Sequence, residues 1–313
     1  MRIARRNFAA LLSLGLSGLA ARATAGRKPV VVASFSILAD LARQVAGEGV
    51  EVGVLVGPDV DAHGYAPKPS DARAVAAADL FVVNGLGFDP WAEKLARASG
   101  FKGRLAVATR GVSTIRVRGA GHGHDHGHGH GHSHGRGGVD PHVWQDPLRV
   151  RTMVANIAED LAAVDPGGAD GYRARAGARG RVLAELDQWI LAELAPIPKP
   201  RRKIFTSHDA FGYFEARYAV DFRAPRGVNM DGEPSAADIA RIVREIRREQ
   251  ARIVFLENVS SPRLIEQIAR ESGARMGGRL YTDALSTASG PAATYLDLMR
   301  HNVVRLRDAM LAE

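Results

Sequence analysis

The sequence predicts an α/β protein of two lobes joined by one long helix. The chain has 313 residues, more than a single hydrophobic core usually serves. Short β-rich runs alternate with helical patterns in both halves, which is typical of parallel sheets with crossover helices. Between the halves lies a long helical pattern with no strand beside it, and this segment is predicted to link the lobes.

The N-terminal lobe is predicted to span residues 26–166. Asp89-Pro90 and Asp146-Pro147 each mark a helix start, because proline suits the first turn of a helix, and Ser70 is expected to cap a further helix. Four short apolar runs are predicted as strands, at residues 30–32, 52–56, 80–83 and 105–108.

The linker helix is assigned to residues 167–195, where apolar residues recur at three- and four-residue spacing up to Leu194. The prolines that follow end it, because proline lacks the amide donor that a helix needs. In the C-terminal lobe, residues 196–313, strands are predicted at 203–206, 253–256 and near 280. Helices are predicted at 211–218, after Ser235, from Pro262 to Gly273 and from Pro291.

The first 25 residues have the pattern of an export signal. Three arginines precede an apolar stretch at residues 8–21, and the triplet Ala23-Thr24-Ala25 predicts cleavage after Ala25. The apolar stretch is shorter than the roughly 20 residues of a spanning helix. A buried N-terminal helix is the disfavoured alternative, because this segment has no polar face to turn towards water. Arg5-Arg6 also resembles a twin-arginine signal, so the export route stays open, and the periplasm is the expected location.

Composition limits the possible partners and ligands. The signal holds four arginines and no acidic residue, so its removal lowers the formal net charge from +8 to +4, which does not favour a nucleic-acid partner. The sequence has no cysteine, which excludes disulfides, thiolate zinc sites and iron–sulfur clusters. Any bound metal must therefore be held by nitrogen and oxygen.

Seven of the eleven histidines lie in one insertion, residues 121–135, where they alternate mainly with glycine. Such a composition cannot form a core, and the segment is predicted to be a flexible loop that collects metal ions. A solvated linker without a role is the alternative, and the glycine spacers specify neither geometry nor metal. The histidines of this loop are His122, His124, His126, His128, His130, His132 and His134.

Three of the other histidines, His63, His142 and His208, fall in loops near predicted strand ends, whereas His301 lies inside the last predicted helix. Open parallel sheets bind ligands at the carboxyl ends of their strands. One loop histidine alone would most simply be a surface residue, but three at comparable positions favour a shared site.

Four segments resemble the metal-site motifs of zinc-specific solute-binding proteins of ABC importers, the ZnuA-like branch of a receptor family that also includes manganese receptors. The resemblance extends over nearly all of the chain after the signal, in the same order, with the histidine-rich insertion between the first two motifs. The motifs are D-A-H-G-Y-A-P-K-P-S-D (61–71), D-P-H-V-W-Q-D-P (140–147), T-S-H-D-A-F-G-Y-F (206–214) and Y-T-D-A-L-S (281–286).

The resemblance implies two four-stranded parallel-sheet lobes tied by one rigid helix, with a metal site in the cleft between them. It assigns four metal ligands: His63 and His142 from the N-terminal lobe, His208 and Asp283 from the C-terminal lobe. A rigid helical tie permits only small lobe movements, so metal release is expected to depend on loop rearrangement.

Zinc is the metal that this ligand set favours. Manganese receptors of the family resemble this chain but have a glutamate where His208 stands, which gives a harder set of two nitrogens and two carboxylates. Three imidazoles and one carboxylate suit Zn²⁺ better. Asp140, Asp209 or backbone carbonyls are candidates to accept a hydrogen bond from the second ring N–H of a ligand histidine, with helix capping equally open for Asp209.

Further side chains near the motifs are assigned roles beside the ligands. Glu257 follows an apolar strand, and three roles are open for it: accepting a hydrogen bond from a ligand ring, docking the transporter or capping the next helix. The last two roles are favoured. Tyr65 and Trp144 are expected to form a wall of the metal site, whereas Phe88 and Trp91 are assigned to the hydrophobic core.

The resulting functional hypothesis is a monomeric, non-enzymatic receptor that captures Zn²⁺ in the periplasm. It would deliver the ion to an ABC permease and its ATPase at the inner membrane, and a zinc metallochaperone is a further candidate partner. A periplasmic zinc buffer or chaperone is the alternative. A secreted zinc hydrolase is less favoured, since the sequence lacks both H-E-x-x-H and G-x-S-x-G.

Overall fold

The computed structural model describes residues 27–117, 138–225 and 235–312. The predicted export signal and the seven histidines of the 121–135 insertion lie outside the described residues. No helix within those ranges has the length and hydropathy needed to cross a bilayer.

The N-terminal lobe is a four-stranded parallel sheet flanked by helices. Its strands are β1 (Val30–Phe35), β2 (Glu51–Val56), β3 (Leu80–Val83) and β4 (Arg104–Val107), in the order β2-β1-β3-β4. Its helices are α1 (Ser36–Ala46), α2 (Pro69–Ala77), α3 (Pro90–Ala98) and α4 (Pro147–Val164). The inner strands β1 and β3 are almost entirely apolar and buried, as expected for strands covered by helices on both faces.

Two predicted helix starts in this lobe have different outcomes. Asp146 caps α4 as predicted, since its Oδ1 accepts a hydrogen bond from the Leu148 amide at 2.9 Å. Ser70 is not the cap of α2, because that helix begins one residue earlier, at Pro69. Instead, the Asp71 carboxylate accepts from the backbone amide of Lys68, which holds the N-cap position.

The long helix is α5 (Ala169–Leu194), with 26 residues. Near its start, Arg175 donates to the carbonyl oxygens of Val45 and Ala46 at the end of α1, at 2.6 and 2.8 Å. The helix therefore contacts the N-terminal lobe through charge-assisted hydrogen bonds before the chain enters the second lobe.

The C-terminal lobe repeats the architecture. Its strands are β5 (Lys203–Phe205), β6 (Asp221–Arg223), β7 (Ile253–Glu257) and β8 (Arg275–Leu280), in the order β6-β5-β7-β8. Its helices are α6 (Gly212–Tyr218), α7 (Ala236–Glu249), α8 (Pro262–Ser272) and α9 (Tyr295–Leu311). The fold class predicted from the resemblance, two four-stranded lobes and one long helix, is thus confirmed.

Details of this lobe differ from the strand and helix predictions. Strand β6 is absent from the sequence prediction, because a three-residue edge strand with one apolar residue, Phe222, between two charged ones has no apolar run. Helix α9 starts at Tyr295 rather than near Pro291, and Thr294 caps it by accepting from the Asp297 amide. Ser235 caps α7 as predicted.

The attachment of α5 to the C-terminal lobe predicts the consequence of one substitution. Asp187 of α5 has a side chain 1% exposed and accepts two hydrogen bonds from Arg217 and one from Tyr218, both on α6. Replacing Asp187 with Asn leaves the Arg217 charge without its partner. We expect a loss towards the lower end of about 3–5 kcal/mol in the free energy of unfolding at neutral pH, because Arg217 is partly in solvent.

Urea unfolding curves of wild type and Asp187→Asn measure this loss. Burial acts to raise the pKa of Asp187, but the hydrogen bonds from Arg217 and Tyr218 lower it below its ordinary value. The contribution of Asp187 to the free energy of unfolding is therefore complete above the unfolded-state pKa of about 3.9 and disappears as the pH falls through the folded-state pKa. The stabilities of wild type and Asp187→Asn should converge in acid. Glu193→Gln, on the same helix but in a more exposed pair with Arg307, is the control and should cost at most about 1 kcal/mol. An equal loss of unfolding free energy in the two variants would contradict the role assigned to the Asp187–Arg217 pair.

Candidate metal centre

Four side chains from four loops converge where the two lobes face each other. His63 follows β2, His142 precedes α4, His208 follows β5 and Asp283 follows β8. Each offers one ligand atom, and these four atoms all lie within 4.8 Å of one another. The structure thus brings together all four residues that the resemblance assigned as ligands.

Individual distances show how tight the cluster is. The Nε2 atoms of His63 and His142 are 3.2 Å apart. The carboxylate of Asp283 lies 2.9 Å from Nε2 of His208, 3.7 Å from Nε2 of His142 and 3.8 Å from Nε2 of His63. Asp283 is therefore the acidic group common to all three rings.

The cluster is largely shielded from water. The side chains of Asp283 and His142 are 1% and 2% exposed, against 13% for His63 and 29% for His208. Both Asp283 oxygens and Nε2 of His208 are buried without a hydrogen bond of good geometry to any described residue. Buried polar atoms without partners are costly, and a cation bound between them would satisfy all three.

Asp140 orients the ring of His142. Its Oδ1 lies 2.8 Å from Nδ1 of His142 and also accepts from the His142 backbone amide at 2.9 Å. An ionised carboxylate can only accept, so Nδ1 of His142 carries the proton and Nε2 presents its lone pair to the cluster. This confirms the acceptor role predicted for Asp140, whereas the role of Asp209 stays a prediction.

Glu257 contacts the ring of His208, and the roles favoured for it from sequence are wrong. The side chain is 0% exposed, so it cannot dock a partner, and the cap position of α8 belongs to Ser261. Instead, Oε2 of Glu257 lies 2.6 Å from Nδ1 of His208. The sequence did hold a signal for this contact, because a glutamate at the end of a wholly buried strand needs a partner.

The acidic groups make the cluster attractive to cations. Burial lowers the pKa of His142, but the hydrogen bond and charge of Asp140 outweigh it and leave the pKa raised. Burial likewise acts against charging His208, yet Glu257 and Asp283 hold its pKa well above the ordinary value. For Asp283 and Glu257, burial acts to raise the pKa, and the facing histidines, His208 foremost, hold it below the ordinary value.

Aromatic side chains form one wall of the cluster. The ring centroids of Phe88 and His63 lie 4.3 Å apart, and those of Trp144 and His142 lie 5.4 Å apart. Trp91 donates its indole proton to the carbonyl of Ala62, the residue before His63, at 2.8 Å. The wall role of Trp144 is confirmed, but Phe88 and Trp91 are not merely core residues, because they fix the ring and the backbone at the first ligand.

Hydrogen bonds between the lobes join the ligand loops directly. Trp144 and Gln145, which follow His142, both donate to the carbonyl of Thr282, the residue before Asp283, at 2.7 and 3.3 Å. A further hydrogen bond between the lobes runs from the side-chain amide of Asn258 to Asp59, at 3.1 Å. These contacts hold the two halves of the cluster in register.

His301 takes no part in the cluster. Its Nε2 lies 3.0 Å from the carbonyl oxygen of Arg279, and the residue lies in α9. Its exclusion from the predicted ligand set is therefore confirmed.

Comparison with known proteins agrees with the fold and the cluster. The family model described as "ZnuA: Zinc-uptake complex component A periplasmic" matches residues 31–309. The chain belongs to this family. The resemblance inferred from the four motifs is thus confirmed, and the protein is a metal-binding receptor of the type that serves metal ABC importers.

Relatives of this chain are named for different metals. The chain is 33% identical over 273 residues to the manganese-binding lipoprotein MntA of Halalkalibacterium halodurans, covering 87% of this chain and 85% of the relative. It is 29% identical over 287 residues to the zinc-binding protein TroA of Treponema pallidum, covering 90% and 88%. The named metals therefore leave the choice between zinc and manganese to the chemistry of this chain's own cluster.

Solved structures show the same architecture. The periplasmic zinc-binding protein TroA from Treponema pallidum superposes with a TM-score of 0.78 at 25% identity, covering 91% of this chain and 99% of that one. A manganese-bound periplasmic metal-binding protein from candidatus Liberibacter asiaticus gives 0.75 at 26% identity, covering 90% and 100%. A receptor described as zinc-binding and one with manganese bound therefore share this fold.

Proposed function

We propose that this protein is a zinc receptor that captures Zn²⁺ outside the cytoplasm and delivers it to an ABC permease. The observation that carries the proposal is the donor set: three imidazole nitrogens and one carboxylate converge within 4.8 Å. The chain's family and its predicted export signal support the transport role.

Ligand chemistry favours zinc over manganese at this cluster. Imidazole is a good ligand for zinc, whereas manganese prefers carboxylate, carbonyl and water oxygens. Zn–N bonds of about 2.0–2.1 Å in a tetrahedron place neighbouring ligand atoms about 3.3 Å apart. The four separations given above, 2.9–3.8 Å, lie on both sides of that value, and all ligand atoms lie within 4.8 Å of one another. Cu²⁺ would also bind tightly by the Irving–Williams order, so selectivity against copper would rest on metal availability.

The environment of the cluster supports binding rather than catalysis. A hydrolytic zinc keeps one coordination position for water and needs a general base beside it. Here four side chains can close the coordination shell. Asp140 and Glu257, the acidic groups beside the ligand rings, each lie within hydrogen-bonding distance of an Nδ1 atom. We therefore propose a receptor with no enzymatic activity.

The proposed partners are a permease and its ATPase at the inner membrane, with the receptor acting in the periplasm as a monomer. A zinc buffer would use the same cluster but would not stimulate a transporter. ATP hydrolysis by the cognate permease and ATPase, reconstituted in proteoliposomes, should rise when zinc-loaded protein is added. No stimulation would favour the buffer.

Competitive titration of the metal-free protein tests the choice of cargo. We expect the cluster to bind one Zn²⁺ that a large excess of Mn²⁺ does not displace, with the stoichiometry measured by inductively coupled plasma mass spectrometry. Displacement of zinc by an equal concentration of Mn²⁺ would overturn the zinc assignment while leaving the receptor role intact.

A further inference from the structure

The two oxygens of Glu257 contact different parts of the third ligand segment. Oε1 accepts from the backbone amides of Ser207 and His208 at 2.6 and 3.0 Å and from the Ser207 hydroxyl at 2.5 Å. Oε2 makes none of these contacts and instead lies 2.6 Å from Nδ1 of the His208 ring. One oxygen thus anchors the loop, and the other faces the imidazole.

We propose that Glu257 is the positioning residue that fixes His208 as its Nδ1–H tautomer and so directs the Nε2 lone pair at the cargo ion. A neutral imidazole has two tautomers, and only the one protonated at Nδ1 leaves Nε2 free to bind a metal. A carboxylate has no proton to donate, so Oε2 of Glu257, 2.6 Å from Nδ1, favours that tautomer. The Asp283 carboxylate faces Nε2 at the longer distance of 2.9 Å and favours the other tautomer, so the nearer Glu257 must outweigh it. The inference rests on the proposed function only in requiring that the cluster binds a divalent cation.

His208 depends on such a partner more than the other two histidines do. Its side chain is 29% exposed, whereas His142 is buried against Trp144 and His63 packs edge-on against Phe88. Packing alone therefore holds the His208 ring less firmly. Glu257 is fully buried at the end of β7, so water cannot readily replace it as the acceptor at Nδ1.

Glu257→Gln separates the two roles of this side chain. The amide oxygen can keep the anchor to Ser207 and His208, while the amide nitrogen at the other position donates to Nδ1. That donation reverses the polarity of the contact and favours the Nε2–H tautomer, which cannot bind metal. We expect zinc affinity to fall by about 10–100-fold, the usual effect of losing a partner behind a metal ligand.

Ser260→Ala is the matched control. The Ser260 hydroxyl lies 2.6 Å from that of Ser207 and belongs to the same network, but it does not face the ring. We expect this variant to bind zinc nearly as tightly as wild type. Circular dichroism and thermal unfolding check that both variants are folded.

The deciding measurement is the ¹⁵N NMR spectrum of His208 in metal-free protein at a pH where the ring is neutral. We expect the Nδ1–H pattern in wild type and the Nε2–H pattern in Glu257→Gln, alongside the weaker binding. An Nε2–H pattern in wild type, unchanged zinc affinity in Glu257→Gln, or weaker binding with an unchanged tautomer would overturn the proposal. If Glu257→Gln does not fold, the wild-type spectrum decides alone. Preference for manganese in wild type would refute the proposed cargo without altering the tautomer result.

Discussion

His208→Ala is expected to abolish tight zinc binding, whereas deletion of residues 121–135 is expected to leave it in place. His208 supplies one of four ligand atoms, and its loss leaves Asp283 buried beside two rings instead of three. Zinc affinity should fall by more than the factor of about 10–100 that is typical when a hydrogen-bond partner behind a metal ligand is removed. Isothermal titration calorimetry with a competing chelator measures both variants.

His301→Ala is the control for this experiment, since it also removes a histidine but one bonded to the Arg279 carbonyl, away from the cluster. It should bind zinc like wild type. Loss of the tight zinc on deletion of the insertion, with retention in His208→Ala, would show that the insertion and not the cleft holds the cargo.

His208→Glu is expected to shift the relative preference of the cluster from zinc towards manganese. The substitution replaces a nitrogen donor with an oxygen donor and makes the set two imidazoles and two carboxylates, which is harder. The new carboxylate would also lie near the buried charge of Glu257, now 2.6 Å from the His208 ring. The double variant His208→Glu/Glu257→Gln removes that repulsion and should show the larger shift, because like charges in a buried site disfavour ionisation.

The ratio of Mn²⁺ to Zn²⁺ dissociation constants, measured by competition, is the quantity to compare. His301→Ala serves as the control, because it removes a histidine outside the cluster and leaves the donor set unchanged. If the ratio in both glutamate variants equalled that of wild type, the number of imidazole donors would not set the preference.

Helix boundaries were predictable where a side chain caps its own helix. Asp146 before Pro147 and Ser235 before α7 are local signals, and both caps are present. Strand β6 was not predictable, because the pairing of Asp221–Arg223 with β5 is a tertiary contact that leaves no apolar run in the sequence. The predicted start of α9 at Pro291 is wrong because Thr294, and not the proline, supplies the cap.

The metal cluster was predictable only through the four motifs. His63 and His142 are 79 positions apart in sequence, and nothing in that spacing places their Nε2 atoms 3.2 Å apart. Position at strand ends narrowed the choice because parallel sheets gather those ends at one edge. The misassignment of Glu257 has the same origin, since its contact with His208 spans 49 positions and depends on the order of β5 and β7 in the sheet.

A crystal structure of the zinc-loaded protein, with anomalous scattering recorded on both sides of the zinc absorption edge, tests the central claim most directly. We expect one strong anomalous peak between the lobes, bonded to Nε2 of His63, His142 and His208 and to the carboxylate of Asp283, with Zn–N distances of about 2.0–2.1 Å. A peak that lies elsewhere, or one in the cleft that His208 does not contact, would contradict it.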